Sequence, residues 1–438
     1  MFQRPRRPCE PCAIQCRRPV APAGAPPQVL PVSLLESADP AAADLDRSQL
    51  AHIDRHIGEY IESGRFPGAH ILIARGSDIG HFASFGKRDI ERDLPMTEDT
   101  IFRIYSMSKP ITSVALMQLY EQGLFQLDDP VHKYIPAWKD LRVFVNGNHP
   151  VWETRPCARP MTIRDLLSHQ SGLTYGFNNR GNVDAAYRLL GIEGSNSDTT
   201  FEIMAETLAS IPLEFSPGDR WNYSVSTDVC GYLVQIISGL PFDEYLSRNI
   251  FQPLGMTDSG FTVPPEKLSR FAANYRPGTN GLELVDDPTT SKYAGDVTFL
   301  SGGGGLVSTT ADYLRFCQAI LGDGAREGVR ILGRKTVELM TSNHLYEGRD
   351  LAAHALGRWS ESAFAGVGFG LGFSVTLDPA TSQVSGTPGE FAWGGAASTA
   401  FWIDPAEDLI VIFMTQLMPS STYNIRRELR AMVYAALG

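Results

Sequence analysis

The chain has 438 residues, of which 43% are hydrophobic and 20% are charged, so it can bury a large core and form two or three domain-sized units. It contains 38 Lys and Arg residues against 49 Asp and Glu residues, which gives a net charge of −11. The basic residues are scattered rather than gathered in a stripe, which argues against nucleic acid and anionic membranes as partners. No apolar run approaches the roughly 18 residues that cross a bilayer, so we expect no membrane span.

Residues 1–45 are rich in Pro, Ala and Arg and have no periodic apolar face, which predicts a disordered leader. A secretory signal needs an unbroken apolar centre, and prolines interrupt each apolar stretch here. Cys157, Cys230 and Cys317 lie far apart among apolar residues and are expected to be reduced thiols. These features favour a cytoplasmic protein.

Two groups of residues have a spacing that suggests a metal site. Cys9, Cys12 and Cys16 lack a fourth ligand nearby and sit in the Pro- and Arg-rich leader. His52 and His56 have the spacing of a zinc pair, but the residue after His52 is not the glutamate that a metalloprotease motif requires. We therefore expect no metal and no cofactor.

The first third of the folded chain predicts a helix, a hairpin and a second helix. Apolar periodicity indicates a helix over about 46–63, and two alternating segments at 69–75 and 79–86 follow a Pro-Gly turn. A further apolar pattern predicts a helix over about 106–122 that stops at Gly123.

The rest of the chain predicts a helical middle and a C-terminal end that mirrors the start. Thr162 and Asp165 form a weakened capping box before a short helix. The further predicted elements are helices at 226–238, 309–321 and 422–437 and strands at 397–403 and 408–416. We therefore predict an α+β fold, an antiparallel sheet flanked by helices with an inserted helical domain. The predicted sheet domain comprises residues 46–123 and 291–438, and the predicted helical domain comprises residues 124–290.

Ser106-Met-Ser-Lys109 places a hydroxyl and an amine one turn apart on the same helical face. A Lys109 that is neutral or shares its proton could take a proton from Ser106 and so activate it without a histidine. A second S-x-x-K pattern, Ser84-Phe-Gly-Lys87, lies in a predicted strand, where side chains three apart point to opposite faces. We therefore interpret Ser84 and Lys87 as unrelated to catalysis.

Two further segments could supply what the Ser-Lys pair lacks. Tyr223 follows a turn and precedes a predicted helix, and a phenol near an ammonium could relay the serine proton. Trp393-Gly-Gly395 is expected to open a segment that runs into the strand at 397–403, with glycines that permit close approach and leave a backbone N–H to polarise a carbonyl. The run Gly302–Gly305 lacks the P-loop lysine and more simply allows two backbones to approach closely.

S-x-x-K, then Tyr223-Ser-Val225, then a Gly-containing strand motif, in this order, resembles the penicillin-recognising serine hydrolases of class C β-lactamase type. The segments 162–172 and 301–309 look like further landmarks of that family, and the likeness covers about residues 46–438. Trp393-Gly-Gly395 in place of Lys-Thr-Gly resembles the family VIII carboxylesterases and the related fungal statin side-chain acyltransferase.

The resemblance implies a β-lactamase/DD-peptidase-like fold and a role for each motif. Ser106 would be the nucleophile, and Lys109 and Tyr223 the proton-transfer pair, with the choice of base between them open. The backbone N–H groups of Ser106 and Ala396 would form the oxyanion hole. The start of a helix at Ser106 independently favours an oxyanion there.

Two departures from the β-lactamase pattern indicate the substrate class. Trp393 cannot pair with a carboxylate and offers an apolar wall, and Val225 has no amide to hold a substrate's amide side chain. With Gly394 and Gly395, these residues are the expected substrate-binding positions, and the expected substrate is a small neutral acyl ester, with weak β-lactam hydrolysis at most. Further candidates to line the acyl pocket are Trp152, Tyr175, Phe177 and Trp359.

Other functions remain open at this stage. The acyl group could pass to an alcohol instead of water, which would make the protein an acyltransferase. An α/β-hydrolase with a Ser-His-Asp triad that uses His169 is disfavoured because the chain has no G-x-S-x-G motif and no alternation of strands and helices. A non-catalytic penicillin-binding scaffold is the third alternative, although it would not need Ser106, Lys109 and Tyr223 together.

Overall fold

The computed structural model describes residues 33–192, 199–357 and 365–438. The predictions for Cys9, Cys12, Cys16 and Trp359 lie outside these residues, as does most of the predicted leader. Residues 33–45 differ from the expected disorder, because Leu34 and Leu45 are buried and Leu45 forms a β-bridge with Leu437.

The α-helices of the described residues are α1 Leu34–Ser37, α2 Arg47–Glu62, α3 Ser108–Glu121, α4 Ile163–Leu167, α5 Asn182–Leu189, α6 Phe201–Ala209, α7 Ser226–Ser238, α8 Phe242–Leu246, α9 Gln252–Leu254, α10 Thr310–Leu321, α11 Arg334–Met340, α12 Leu351–His354, α13 Pro379–Ser382 and α14 Ile425–Ala435. Within the described ranges, no helix combines the length and the apolar character needed to cross a membrane.

The strands are β1 Gly68–Arg75, β2 Asp78–Asp89, β3 Leu94–Pro95, β4 Phe102–Arg103, β5 Arg142–Asn148, β6 Val151–Pro156, β7 Asn274–Gly278, β8 Gly281–Asp286, β9 Val307–Ser308, β10 Ala325–Arg326, β11 Val329–Arg330, β12 Val367–Phe369, β13 Ser374–Thr376, β14 Phe391–Gly394, β15 Ala400–Asp404 and β16 Leu409–Thr415.

One 8-stranded antiparallel sheet joins the two ends of the chain. Its strand order is β12-β13-β14-β15-β16-β1-β2-β3, and β1 pairs with β16 so that Ile71 lies opposite Phe413. The predicted fold class, an antiparallel sheet flanked by helices and shared by both chain ends, is confirmed. The division into domains at residues 123 and 291 stays a prediction.

The two faces of this sheet carry different cores. Because successive side chains of a strand point to opposite faces, Leu72 and Ile412 pack in the larger core, and Ile71 and Val411 pack in a second core. The second core is closed by the terminal helices α2 and α14, which contact each other. The larger core contains α3 and α10. Apolar side chains therefore pack on both faces of the central strands, and the sheet lies between two layers of helices.

Helix α3 is buried on every side rather than along one stripe. Every residue from Ser108 to Gln118 is buried, including Lys109, which is 1% exposed. A helix surrounded by apolar neighbours is typical of the centre of a large core. The helix start that was predicted at residue 106 differs from the observed start at Ser108, because Tyr105–Met107 form a 3₁₀ turn.

Most local predictions agree with the structure, and one is wrong. Helix α7 has the predicted bounds, the capping box of Thr162 and Asp165 is present at α4, and Cys230 and Cys317 are buried free thiols, with Cys157 half-buried. The segment at Trp393 was expected to lead into the next strand. Instead β14 contains Trp393 and forms a hairpin with β15.

The central strand β16 is completely buried, so a cavity created there should lower the stability of the protein. Replacing Ile412 with Ala deletes buried atoms between β1 and β15, and the free energy of unfolding should fall by about 2–5 kcal/mol. Chemical denaturation of purified protein measures this change. The matched control is Val151→Ala, at a side chain that is 76% exposed, which should change stability by less than about 0.5 kcal/mol. Equal effects at both positions would contradict the assigned core.

A buried histidine makes stability depend on pH. His70 on β1 is enclosed by Phe82 and Phe102 and its Nδ1 hydrogen-bonds Oγ1 of Thr310 at 2.9 Å. Burial lowers the pKa of His70 to about 3. The unfolded chain binds this proton near pH 6.5, so the stabilisation is complete above that pH and is lost as the pH falls towards 3.

We therefore expect the free energy of unfolding of the native chain to decline between pH 6.5 and pH 4. In His70→Gln this decline should be shallower, by up to about 1.4 kcal/mol per pH unit. Urea denaturation at several pH values measures both slopes. His52→Gln, at an exposed position of α2, should keep the native slope, and a native slope in His70→Gln would refute the prediction.

Candidate active site

The structure brings the three residues of the predicted catalytic group into contact. Ser106 lies in the 3₁₀ turn before α3, and Tyr223 precedes α7, which packs against α3. The Oη of Tyr223 donates a hydrogen bond to Oγ of Ser106 at 2.6 Å, and Nζ of Lys109 lies 3.3 Å from the same Oγ. The serine hydroxyl is thus held between two groups that can exchange a proton with it.

Lys109 is a buried amine with several polar partners. Its Nζ donates to the carbonyl oxygen of Gly303 at 2.7 Å and to Oη of Tyr175 at 3.1 Å. The same Nζ lies 4.5 Å from the ring centroid of Tyr223, a favourable position for a cation. These contacts compensate the burial of the amine and aim it at Ser106.

A buried carboxylate anchors the loop that holds Lys109. Asp228 on α7 accepts hydrogen bonds from Oγ of Ser301 at 2.5 Å and from the backbone N–H of Gly303 at 3.0 Å. Burial raises the pKa of Asp228, and the nearby Lys109 and these hydrogen bonds oppose that rise. A Cβ on Gly303 would lie 2.7 Å from the Asp228 carboxylate, so glycine is required there. A Cβ on Gly302 would lie 2.7 Å from the backbone carbonyl oxygen of Thr227, which confirms the predicted close approach of backbones at the glycine run.

His169 lies in an aromatic layer behind Tyr223. Its ring is 5.1 Å from the ring of Tyr223 and 5.4 Å from that of Phe369, and its Nδ1 hydrogen-bonds Oγ of Ser224 at 3.2 Å. Burial, together with the charge of Lys109, holds the pKa of His169 well below its usual value. The imidazole is therefore neutral at pH 7 and packs as an aromatic ring.

The strand motif forms a wall next to Tyr223 and Ser106. The buried Trp393 ring lies 5.5 Å from the ring of Tyr223 and 5.3 Å from that of Phe369. Beyond Gly394, the last residue of β14, a Cβ on Gly395 would lie 2.5 Å from the carbonyl oxygen of Ile104, so only glycine lets this turn approach the residues before Ser106.

Two backbone amides at this point have no acceptor within the described part of the chain. Among the residues that the structure describes, none accepts a hydrogen bond from the N–H of Ser106 or of Ala396. Both residues are half-buried, and the turn that carries Ala396 contacts the segment that carries Ser106. Most buried amides in proteins are paired, so two unpaired amides beside a serine hydroxyl are available to a ligand.

The remaining predicted residues lie in different places. Val225 is buried and lines a small cavity of about 30 Å³ with Met204 and Phe299. Tyr175 stacks on Phe177, with the ring centroids 4.5 Å apart. Tyr175 also lies beside Lys109, because its hydroxyl accepts a hydrogen bond from Nζ of Lys109.

Two predicted features lie outside this cluster of contacts. Trp152 packs against Phe144 on the β5–β6 hairpin. The other S-x-x-K pair is separated as expected, because Ser84 is exposed on β2 and bonds the carbonyl oxygen of Met96, while Lys87 pairs with Asp93.

The sequence did not identify the two groups that accept from Lys109, the Tyr175 hydroxyl and the Gly303 carbonyl oxygen, or the Asp228 carboxylate that holds Gly303. Tyr175 was considered only as a possible pocket aromatic. Asp228 lies five residues after Tyr223, in the first turn of α7. An acidic residue at a buried helical position is a signal that it has a partner. Nothing local to Gly303 indicates that its carbonyl oxygen accepts from a lysine.

Comparison with known proteins agrees with this geometry. The family model described as Beta-lactamase matches residues 53–435. The chain is 36% identical to protein Rv1367c of Mycobacterium tuberculosis, over 83% of this chain and 89% of that protein. It is 31% identical to esterase EstB of Burkholderia gladioli, over 86% of this chain and 93% of that esterase.

Two solved structures have the same fold. EstCE1, a hydrolase with promiscuous acyltransferase activity, superposes with a TM-score of 0.75 at 26% identity and covers 88% of this chain and 99% of its own. Simvastatin synthase LovD of Aspergillus terreus superposes with a TM-score of 0.75 at 25% identity and covers 88% of this chain and 97% of its own.

These matches confirm the predicted resemblance, the fold class and the assignment as a serine hydrolase. The family match spans both ends of the sheet and the helices between them, so it covers every residue of the candidate site. The chain therefore belongs to the Beta-lactamase family.

Proposed function

We propose that the protein is a serine carboxylesterase that hydrolyses neutral esters with short-to-medium acyl chains through an acyl-enzyme on Ser106. The observation that carries the proposal is the contact of Ser106 Oγ with Tyr223 Oη at 2.6 Å and with Lys109 Nζ at 3.3 Å. The 31% identity to an esterase of Burkholderia gladioli supports it.

In the first half-reaction, Oγ of Ser106 attacks the carbonyl carbon of the ester, and its proton passes to the deprotonated member of the Lys109–Tyr223 pair, either Lys109 as the neutral amine or Tyr223 as the phenolate. The resulting oxyanion would be stabilised by the backbone N–H groups of Ser106 and Ala396, and Ser106 also lies where a helix begins. The tetrahedral intermediate then collapses, the C–O bond to the alcohol breaks, and the pair returns the proton to the leaving alkoxide.

In the second half-reaction, water attacks the carbonyl carbon of the acyl-enzyme. The Lys109–Tyr223 pair takes a proton from this water, and Oγ of Ser106 leaves the second tetrahedral intermediate and regains a proton. The carboxylic acid is released and the free serine is restored. No metal or cofactor is needed for either half-reaction.

The surroundings of Ser106 favour uncharged acyl groups. The buried aromatic rings of Trp393 and Phe369 pack behind Tyr223, and His169 is neutral because burial lowers its pKa. A substrate carboxylate would meet the Trp393 ring where β-lactamases of the related type have a lysine, and Val225 offers no amide to an acylamino side chain. We therefore expect any β-lactam hydrolysis to be weak.

The alternative product is a new ester. The chain is 28% identical to monacolin J acid methylbutanoyltransferase of Aspergillus terreus, over 82% of this chain and 88% of that enzyme. The same acyl-enzyme would form, and an alcohol would replace water in the second half-reaction. The esterase and the acyltransferase would differ in whether the protein binds an alcohol near the carbonyl group of the acyl-enzyme.

The nucleophile is tested by covalent labelling. A fluorophosphonate probe followed by peptide mapping should modify Ser106, and Ser106→Ala should lose both labelling and hydrolysis of p-nitrophenyl butyrate. Tyr223→Phe removes one proton carrier and should lower kcat/KM by about 10²- to 10⁴-fold.

Two variants test the competing assignments. Ser84→Ala, at the exposed S-x-x-K serine, should keep native labelling and turnover. His169→Gln should lower kcat/KM less than Tyr223→Phe. If His169→Gln abolished turnover while Tyr223→Phe did not, a Ser-His mechanism would replace the proposal. Absence of labelling in a folded protein would favour the non-catalytic scaffold.

The fate of the acyl group is tested by adding an alcohol. With p-nitrophenyl butyrate and rising 1-butanol, the proposed esterase should give butyric acid as the main product, because water resolves its acyl-enzyme. Gas chromatography of both products measures the partition. A butyl butyrate yield that saturates at millimolar butanol would show a bound alcohol and favour the acyltransferase.

A further inference from the structure

The turn that carries Ala396 is closed by its own backbone. The N–H of Gly395 donates to the carbonyl oxygen of Thr399 at 2.8 Å, and the N–H of Ser398 donates to the carbonyl oxygen of Gly395 at 3.1 Å. Oγ of Ser398 also donates to the carbonyl oxygen of Leu417 at 2.7 Å, which ties the middle of the turn to the segment after β16. The end of the turn at Gly395 directly precedes the Ala396 amide.

Arg426 of α14 bridges the two ends of this turn. Its Nη2 donates to the carbonyl oxygens of Gly395 and of Thr399, both at 2.7 Å. Each of these carbonyl oxygens therefore accepts from one backbone N–H and from the guanidinium, which uses both of its acceptor positions. Hydrogen bonds from an ionised donor are stronger than those between neutral groups, so Arg426 contributes substantially to holding the turn.

The carbonyl group that Arg426 holds belongs to the same peptide unit as the Ala396 amide. The bond between Gly395 and Ala396 is trans, and in a planar trans peptide the C=O and the N–H point in opposite directions. A C=O that is directed at α14 therefore directs the Ala396 N–H away from α14. The segment that carries Ser106 lies on that other face of the sheet. Because glycine permits many values of ψ, this orientation has to be held by hydrogen bonds.

Helix α14 is fixed along the hairpin whose turn Arg426 holds. Arg426, Arg430 and Tyr434 follow one another at intervals of four residues and so lie on one helical face. Arg430 pairs with the buried Glu390, just before β14, and Oη of Tyr434 lies 2.7 Å both from Oε2 of Glu390 and from Oδ2 of Asp404, the last residue of β15. One helical face therefore contacts both the open end and the turn of the β14–β15 hairpin.

We propose that Arg426 is a positioning residue for ester hydrolysis, which orients the Gly395–Ala396 peptide unit so that the Ala396 N–H donates to the oxyanion formed when Ser106 attacks. Arg426 acts through this amide and not by contact with the substrate. The guanidinium also polarises the peptide unit, because hydrogen bonds in a chain strengthen one another. The inference deepens the proposed function and rests on it.

The surroundings of Arg426 make the inference testable by substitution. With Arg427 and Arg430, Arg426 lines a cavity of about 460 Å³, the Arg-lined cavity. Ala392 of β14 also lines it, so the cavity lies on the face of the sheet opposite Trp393. A shorter side chain at position 426 enlarges an existing cavity and creates no void in a packed core. We therefore expect Arg426→Gln and Arg426→Lys to fold, and thermal melts check this.

The kinetics of p-nitrophenyl butyrate hydrolysis test the role, with rates expressed per site labelled by fluorophosphonate at completion. Both half-reactions form an oxyanion, so in Arg426→Gln kcat and kcat/KM should fall together by about 10- to 100-fold, while KM stays within about threefold. Arg426→Lys retains a cationic donor and should recover part of the loss. The matched control is Arg427→Gln, at an exposed position whose side chain donates to the carbonyl oxygen of Gln383, and it should keep the native values.

Inhibition by butylboronic acid separates positioning from stability. This compound adds to a serine hydroxyl and forms a tetrahedral adduct that resembles the oxyanion intermediate. In Arg426→Gln its inhibition constant should rise in proportion to the fall in kcat/KM. A purely structural role would lower only the number of labelled sites, and a native rate per site with a native inhibition constant would overturn the inference.

Two further results would contradict the proposal. Equal kinetic losses in Arg426→Gln and Arg427→Gln would assign the effect to α14 in general, and an Arg426→Lys variant no better than Arg426→Gln would contradict a role for hydrogen bonds to the turn. If fluorophosphonate did not label Ser106 in the folded native chain, the proposed function would fail and this inference with it. That result is obtained without any Arg426 variant, so the two failures are distinguishable.

Discussion

The groups of the active site are arranged around one constraint, the burial of the Lys109 amine. The side chain is 1% exposed within a helix that is buried on every side, and an amine in such surroundings is costly unless polar groups receive it. The Gly303 carbonyl oxygen and the Tyr175 hydroxyl do so directly. Asp228 acts one step further out, because it holds the N–H of Gly303 and so fixes the direction of that carbonyl.

This arrangement links segments that are distant in the chain. The glycine run must approach the Asp228 carboxylate and Thr112 without side chains, and Cβ atoms at Gly302 and Gly303 would meet neighbours within 2.9 Å. Tyr223 in turn occupies the space between Lys109 and the aromatic layer of His169 and Trp393. A change that displaced Lys109 would therefore disturb the loop, the tyrosine and the serine together.

The two faces of strand β14 have different chemical surroundings. Trp393 faces the candidate active site and Ala392 faces the Arg-lined cavity, because neighbouring residues of a strand point to opposite faces. The turn after this strand is held from one side by Ile104 and from the other by Arg426. The position of the Ala396 amide thus depends on both layers of the molecule.

Much of the local structure could be predicted because its causes are local. Helix α7 and the capping box at Thr162 follow from apolar periodicity and from side chains that cap their own backbone. The pairing of Ser106 with Lys109 could also be predicted, since residues three apart on a helical turn lie on one face. The sequence placed Trp393 at the start of the strand predicted at 397–403 and missed that it lies in a strand of its own, because two glycines interrupt the pattern and pairing with β15 forms the strand.

The sequence by itself determined the fold class, the family resemblance and the grouping of Ser106, Lys109 and Tyr223, because each rests on short motifs and their order. Only the tertiary structure decided which groups hold Lys109 and which carbonyl oxygens accept from Arg426. It also decided which amides of the described residues have no acceptor. Those contacts join residues such as Lys109 and Gly303, whose separation along the chain is 194 positions. No local pattern specifies such a contact, because it exists only once the helices and the sheet have packed.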